Sequence, residues 1–259
     1  MCLISIAWKM HDQFPLAIAA NRDEFTARKS QALHQWQDSK IIAGRDVLAG
    51  GTWMGFHPNG RFAMLTNIRH PDYFKPNIHS RGALIVQLLT HDADLEDGLA
   101  KLQTDYQRYS GFNLLVGDAD SLFHFNSATG QMRHLPAGVY GVSNADLDDP
   151  WPKVTLAKTQ MDDWLARPVF DQLVGLHSDT QIAADADLPQ TGISLTHERA
   201  LSPQKIVLPD YATQVQTAAV VDAKGRLSLC EHNALNGHRQ HFTMADFWPR
   251  VARGATVLE

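Results

Sequence analysis

An α+β fold is predicted for this chain: a four-layer αββα sandwich of two antiparallel sheets, formed as one domain over residues 1–259. Three observations predict it. Apolar runs of strand length and apolar stripes of helical spacing alternate in blocks, in the order strands, two helices, strands, two helices, strands. The strand candidates are too uniformly apolar to leave one face in water, so stacked sheets with helices outside suit them. With 259 residues, 44% of them apolar, the chain is long enough to bury most of its unfolded surface without disulfides or a structural metal.

Leu3–Trp8 and Leu16–Ala20 read as a strand pair, and residues 41–51 as a third strand. His57-Pro58-Asn59-Gly60 between the apolar segments Thr52–Phe56 and Arg61–Thr66 is a hairpin signal, because Asn-Gly accepts the backbone angles of a tight turn. Ser80 is placed to cap a helix carrying Leu84, Ile85, Leu88 and Leu89 on one face. Leu95, Leu99, Leu102 and Tyr106 mark a second helix. Strands return at 112–116, 121–125, 131–135 and 139–142. Val154, Ala157, Met161 and Leu165 trace a third helix, and Phe170, Leu173 and Val174 a fourth. Residues 177–203 are polar and irregular. Thr217–Asp222 and Arg226–Glu231 form a last hairpin about Lys224-Gly225, followed by an edge strand at 238–243.

Composition narrows the function. Lys and Arg number 23 against 28 Asp and Glu, a net charge of −5, which gives no basic surplus for nucleic acid. No apolar run reaches the length that spans a bilayer. The start, Met1 to Trp8, lacks the basic and apolar segments of a secretory signal, so a cytoplasmic location with reduced thiols is expected. The spacing of Asp92–Gly98 misses a calcium loop, and His232, His238 and His241 lack metalloprotease spacing. No metal site is predicted. Cys230, among apolar strand residues, is expected to be inert.

Chemistry gathers near the amino terminus. With the initiator methionine removed, Cys2 carries a free α-amine beside its thiol, and such an amine can activate its own side chain as a nucleophile. The plainer reading of Cys2 is a small apolar residue opening a strand. Asn21-Arg22-Asp23-Glu24 ordinarily reads as a solvated loop after an apolar strand. Pairing of the first two strands would nevertheless bring Arg22 and Asp23 near Cys2, where a guanidinium favours thiolate.

These residues belong to a longer pattern. Met1-Cys2, Asn21-Arg22-Asp23-Glu24, Gly50-Gly51-Thr52-Trp53-Met54-Gly55, Thr66-Asn67, Ser80-Arg81-Gly82, Tyr140-Gly141-Val142-Ser143-Asn144 and Trp151-Pro152-Lys153 together resemble the NRDE family, the transport and Golgi organisation protein 2-like proteins. The resemblance implies an amino-terminal-nucleophile hydrolase fold, similar more distantly to the penicillin V acylase and bile-salt hydrolase group. It implies Cys2 as nucleophile, Arg22 and Asp23 beside it, and Asn67 and Asn144 as oxyanion donors, a role in which one amide lowers a barrier by about 3 kcal/mol. Asn21, Arg22, Glu24, Trp53, Arg81 and Gln214 are the ligand-binding candidates. The chain departs from the family pattern at Tyr211-Ala212-Thr213-Gln214, where an arginine is usual in place of Gln214.

The expectation is a ligand-binding or trafficking protein that holds haem or an acyl-lipid-type hydrophobic anion in the Cys2 cleft. No cofactor is required; haem is a bound ligand, and haem- or lipid-accepting proteins are the implied partners. Trp53, Phe56 and Phe74 are candidates to line a flat slot, and Met54, His57, His70 and His79 lie nearby without an assigned axial role. One alternative is an active amidohydrolase cleaving a linear, non-peptide C–N bond through Cys2. The other is an interaction scaffold without ligand.

Overall fold

The computed structural model of the chain describes residues 3–75 and 79–249. Its first sheet is built from β1 (Leu3–Trp8), β2 (Leu16–Phe25), β10 (Gly138–Val142), β11 (Tyr211–Val221), β12 (Leu227–Asn233) and β13 (Arg239–Met244), in the order β10-β1-β2-β11-β12-β13. The second is a seven-stranded meander in chain order: β3 (Ser30–Gln35), β4 (Ile42–Asp46), β5 (Met54–Phe56), β6 (Phe62–Asn67), β7 (Phe112–Gly117), β8 (Leu122–Asn126) and β9 (Gln131–His134). All pairings are antiparallel. Helices α1 (Arg81–Thr90) and α2 (Leu95–Asp105) cover the second sheet, while α3 (Pro152–Ala166) and the single turn α4 (Phe170–Leu173) cover the first; α5 (Leu195–Ala200) lies within the polar 177–203 stretch.

Three apolar layers follow from strand alternation. Ile4, Ile6 and Trp8 of β1 meet Phe56, Phe62 and Met64 between the sheets, while Ala7, one residue away, turns outward to the cluster around Met161 and Trp164 of α3. Leu65, Leu114 and Val116 face Leu84, Leu88 and Leu99 in the third layer. Strands buried on both faces are therefore apolar throughout, which is why the sequence shows runs rather than alternation. At the end remote from β2's terminus, Trp248 closes the sandwich by donating its indole N–H to the Gly60 carbonyl at 2.8 Å. A Cβ on Gly225 (φ +76°) would sit 1.9 Å from the Trp248 carbonyl, so the turn needs glycine for close approach as well as for its angle.

Three expected boundaries shift, and one strand was not expected. The strand expected to stop at Ala20 runs on to Phe25, and its polar extension is buried rather than solvated. The strand expected over residues 41–51 ends at Asp46, where the Asp46 carboxylate caps the Ala49 amide and folds the chain into a turn. β3, a polar edge strand, stands where no strand was expected. β11 begins six residues earlier than expected, at Tyr211. Among the described residues no helix is long and apolar enough to cross a membrane.

Candidate functional site

β1 and β2 pair with Leu3 opposite Asn21, which sets the beginning of β1 against the Asn21–Glu24 segment. Cys2 lies outside the described residues. Alternation along β2 sends Ala20, Arg22 and Glu24 toward the second sheet and Asn21 and Asp23 to the other face.

Arg22 is 3% exposed, and its surroundings explain how a cation is tolerated there. Nη2 donates to Asp46 Oδ2 and Nη1 to Gln214 Oε1, each at 3.2 Å, and the guanidinium lies over the Trp53 ring, 4.6 Å from its centroid. Burial pulls its pKa below the usual arginine value, and the charges of Glu24 and Asp46 oppose that pull. Asp46 also accepts from Arg28 Nε at 2.8 Å. Burial alone would raise its pKa, but the Arg28 and Ala49 hydrogen bonds and two neighbouring guanidinium charges hold it below the usual carboxylate range. Glu24 lies 3.6 Å from Arg28.

Gln214 occupies a bulge in β11, where the register against β2 slips between Thr213 and Val215. The bulge aims its amide at Arg22 and, by Nε2, at the Phe25 carbonyl. The uncharged side chain therefore fixes Arg22 where an arginine would repel it. On the opposite face Thr213 donates to Asp23 Oδ1 at 2.6 Å.

A cleft of about 330 Å³ opens beside this corner, lined by Arg22, Glu24, Arg28, Asp46, Trp53, Asn67, Phe74, Lys75, His79, Arg81 and the segment Gly51-Thr52. Its walls are mostly polar and its cations outnumber its acids. A second cavity of about 250 Å³ shares Asn67, Phe74 and Arg81 with the first and is lined besides by Ile68, Leu201, Ile206 and Tyr211 and by the polar side chains of Arg69, Asn144 and Lys153. Asn144 Nδ2 donates to the Asn67 carbonyl at 2.9 Å, so the two predicted oxyanion asparagines are in direct contact.

The structure thus brings Arg22, Glu24, Trp53, Asn67 and Arg81 to the first cavity and Asn144 to the second. Asn21 is elsewhere: its amide donates at 2.8 Å to the carbonyls of both His177 and Gln204 on the outer face, a commitment that ties the 177–204 loop to the sheet. Asp23 and Gln214 line neither cavity. Trp53, expected to wall a flat slot, is 6% exposed and has one face covered by Arg22, and Phe56 lies in the inter-sheet core. Sequence reasoning missed Arg28, Lys75 and Asp46, which complete the charged wall; the nearby Gly50-Gly51 turn was the available signal. It also missed Glu231, buried behind Trp53, where it accepts from the Leu33 amide and burial pushes its carboxyl up to about 7.

The Gly51–Thr52 and Ser80–Gly82 motifs meet backbone to backbone. Thr52 N–H donates to the Gly82 carbonyl at 3.3 Å, and a Cβ on Gly51 would fall 2.4 Å from the Gly82 carbonyl carbon. This contact sets the start of α1, with Arg81, on the cleft wall.

The sequence profile of the Transport and Golgi organisation 2 family matches residues 1–236. The chain is 30% identical over 246 residues to the Transport and Golgi organization protein 2 homolog of Bos taurus, covering 86% of this chain and 87% of that protein. It is 31% identical over 248 residues to the Mus musculus homolog, covering 86% and 88%. Among solved structures it is similar to the Caenorhabditis elegans ortholog of N-acylethanolamine-hydrolyzing acid amidase, with a TM-score of 0.50 at 12% identity, over 85% of this chain and 92% of that one. A variant of the conjugated bile acid hydrolase from Clostridium perfringens superposes with a TM-score of 0.51 at 7% identity, over 98% of this chain and all of that one. At such identities the likeness is one of fold. The chain belongs to the Transport and Golgi organisation 2 family, and its αββα sandwich is that of the amino-terminal-nucleophile hydrolases.

Proposed function

We propose that the chain binds an amphiphilic anion, an acyl conjugate, with its polar head in the Arg22–Arg81 cleft and its tail in the adjoining, more apolar cavity. One observation carries this reading: a polar, cation-rich cavity and a more apolar one share a wall at Asn67, Phe74 and Arg81. Such a pair matches a ligand with a charged end and a hydrocarbon end. Haem fits less well. Its ring needs apolar walls on both faces, whereas Trp53 is covered by Arg22; among the described residues His79 is the sole His, Cys or Met lining either cavity. A ligand held in this way would be passed on to an acceptor protein. Titration with N-oleoylglycine, oleyl alcohol and haem tests the order: saturable binding of the acyl anion ahead of the other two supports the reading. A saturable haem spectral shift with no acyl binding sinks it.

Hydrolysis is a second reading, favoured by the Asn67–Asn144 contact and by the pairing of Leu3 with Asn21 beside Arg22 and Asp23. On this reading the Cys2 thiolate attacks the amide carbon, and the free α-amine takes the thiol proton and delivers it to the leaving amine. Water then releases the acid from the thioester. The two solved hydrolases act on N-acylethanolamines and conjugated bile acids, in keeping with an acyl substrate. Intact-mass measurement discriminates. Loss of Met1, with an acyl adduct absent from Cys2→Ala, marks the enzyme; a retained Met1 or no adduct leaves binding alone.

A further inference from the structure

Three connections and the end of β2 carry large apolar side chains into solvent around the cleft mouth. Leu48 is 81% exposed, Phe74 73%, Val207 71% and Phe25 61%. They form one rim. The Phe25 ring meets Tyr211 edge-on at 5.3 Å, and Leu208 N–H bonds the Tyr211 carbonyl. Val47 N–H bonds the Lys29 carbonyl, which ties the Leu48 turn to the residues that follow Phe25. Phe74 lines both cavities, with Ala49 in one and Tyr211 in the other.

The same rim keeps a small positive excess, although the whole chain carries −5. Lys29 and Lys75 are exposed beside the apolar tips, with Asp210 among them, while Arg28, like Arg22, is engaged by Glu24 and Asp46. Separate tips on four chain segments make no continuous groove for a peptide. Hydrocarbon deforms around such tips, while lysines beside them attract anionic headgroups.

We propose that this rim docks the cleft onto an anionic phospholipid surface, with Leu48, Val207 and Phe25 entering the headgroup–acyl boundary and Lys29 and Lys75 meeting the headgroups. The inference concerns where the protein sits and stands whether or not the cleft takes an acyl ligand. The test is co-sedimentation of the full chain with phosphatidylcholine vesicles, with and without phosphatidylserine, at low and high salt. Binding that requires phosphatidylserine and weakens with salt is expected. The Leu48→Ser/Val207→Ser double variant should bind at least about tenfold more weakly, and Lys29→Glu/Lys75→Glu should lose the phosphatidylserine preference. Met10→Ser, an exposed substitution at the opposite end of β1, should bind as the parent does. All these positions are exposed, so unchanged melting curves verify folding. Failure to sediment with either vesicle, or undiminished binding by the Leu48→Ser/Val207→Ser variant, overturns the proposal.

Discussion

Arg22 lies over the Trp53 indole and bonds Asp46 at 3.2 Å, so a strand of the first sheet and a turn of the second are joined through one buried cation. Each partner compensates the other. The guanidinium loses water on burial but keeps two charge-assisted or polar bonds and a π-face, and the turn at residues 46–51 gains a fixed position from which Gly51 reaches α1.

Removing one member of that pair should cost more than an ordinary polar substitution, because the other charge stays buried. Asp46→Ala is expected to lower stability by on the order of 3 kcal/mol, read as a lower urea midpoint at unchanged slope. An unaltered midpoint would mean that Glu24 alone satisfies Arg22.

The two glycines of the same turn should behave differently. Gly50 (φ +72°) has nothing within 4 Å of a built Cβ, so Gly50→Ala carries only the left-handed backbone cost, about 1 kcal/mol. Gly51→Ala must push apart two backbones and is expected to cost about 1–3 kcal/mol. It should also weaken ligand binding, because the start of α1 moves with it. Thermal unfolding of the two variants side by side checks the order.

Glu231 predicts one pH dependence. Its folded value of about 7 lies above the ordinary 4.5. The folded state therefore holds the proton more tightly, and the stability this contributes is present below pH 4.5 and lost as pH rises through about 7. The span corresponds to on the order of 3 kcal/mol. Glu231→Gln keeps the acceptor for Leu33 and should remove that loss. Equal slopes in parent and variant would show that Glu231 does not titrate in this window.

His177 predicts the opposite slope. Buried at 1% exposure with Nε2 2.8 Å from Ser5 Oγ, it is pushed down by burial to about 3 from 6.5. Protons bind the unfolded chain more readily, so its contribution is complete above pH 6.5 and declines as pH falls toward 3. His124, held at about 4 chiefly by burial, acts in the same direction. His177→Gln should flatten the acid limb of the stability curve; denaturation midpoints across that range measure it.

Much of the architecture was legible from local signals. His57-Pro58-Asn59-Gly60 and Lys224-Gly225 mark tight turns through residues that tolerate positive φ, and the alternating blocks give the layers. The 21–24 segment was not legible as buried strand. Hydrophobicity stops at Ala20, while the groups that satisfy Arg22 and Asp23 come from Asp46, Thr213 and Gln214, far along the chain. β3 escaped notice for a similar reason: its one buried side chain is Leu33, whose amide is held by Glu231. Gln214 read as a missing charge until the bulge showed its amide turned onto Arg22. Asn67 and Asn144, 77 positions apart, meet only because β6 and β10 end at the same rim.

The most direct test of the amphiphile reading is calorimetric titration of the full chain and of its Lys75→Glu variant with N-oleoylglycine, alongside oleyl alcohol. One-to-one saturable binding of the acyl anion in the micromolar range is expected, about tenfold weaker for the uncharged alcohol and for Lys75→Glu. Absence of saturable binding, or equal affinity for anion and alcohol in both proteins, would contradict the account.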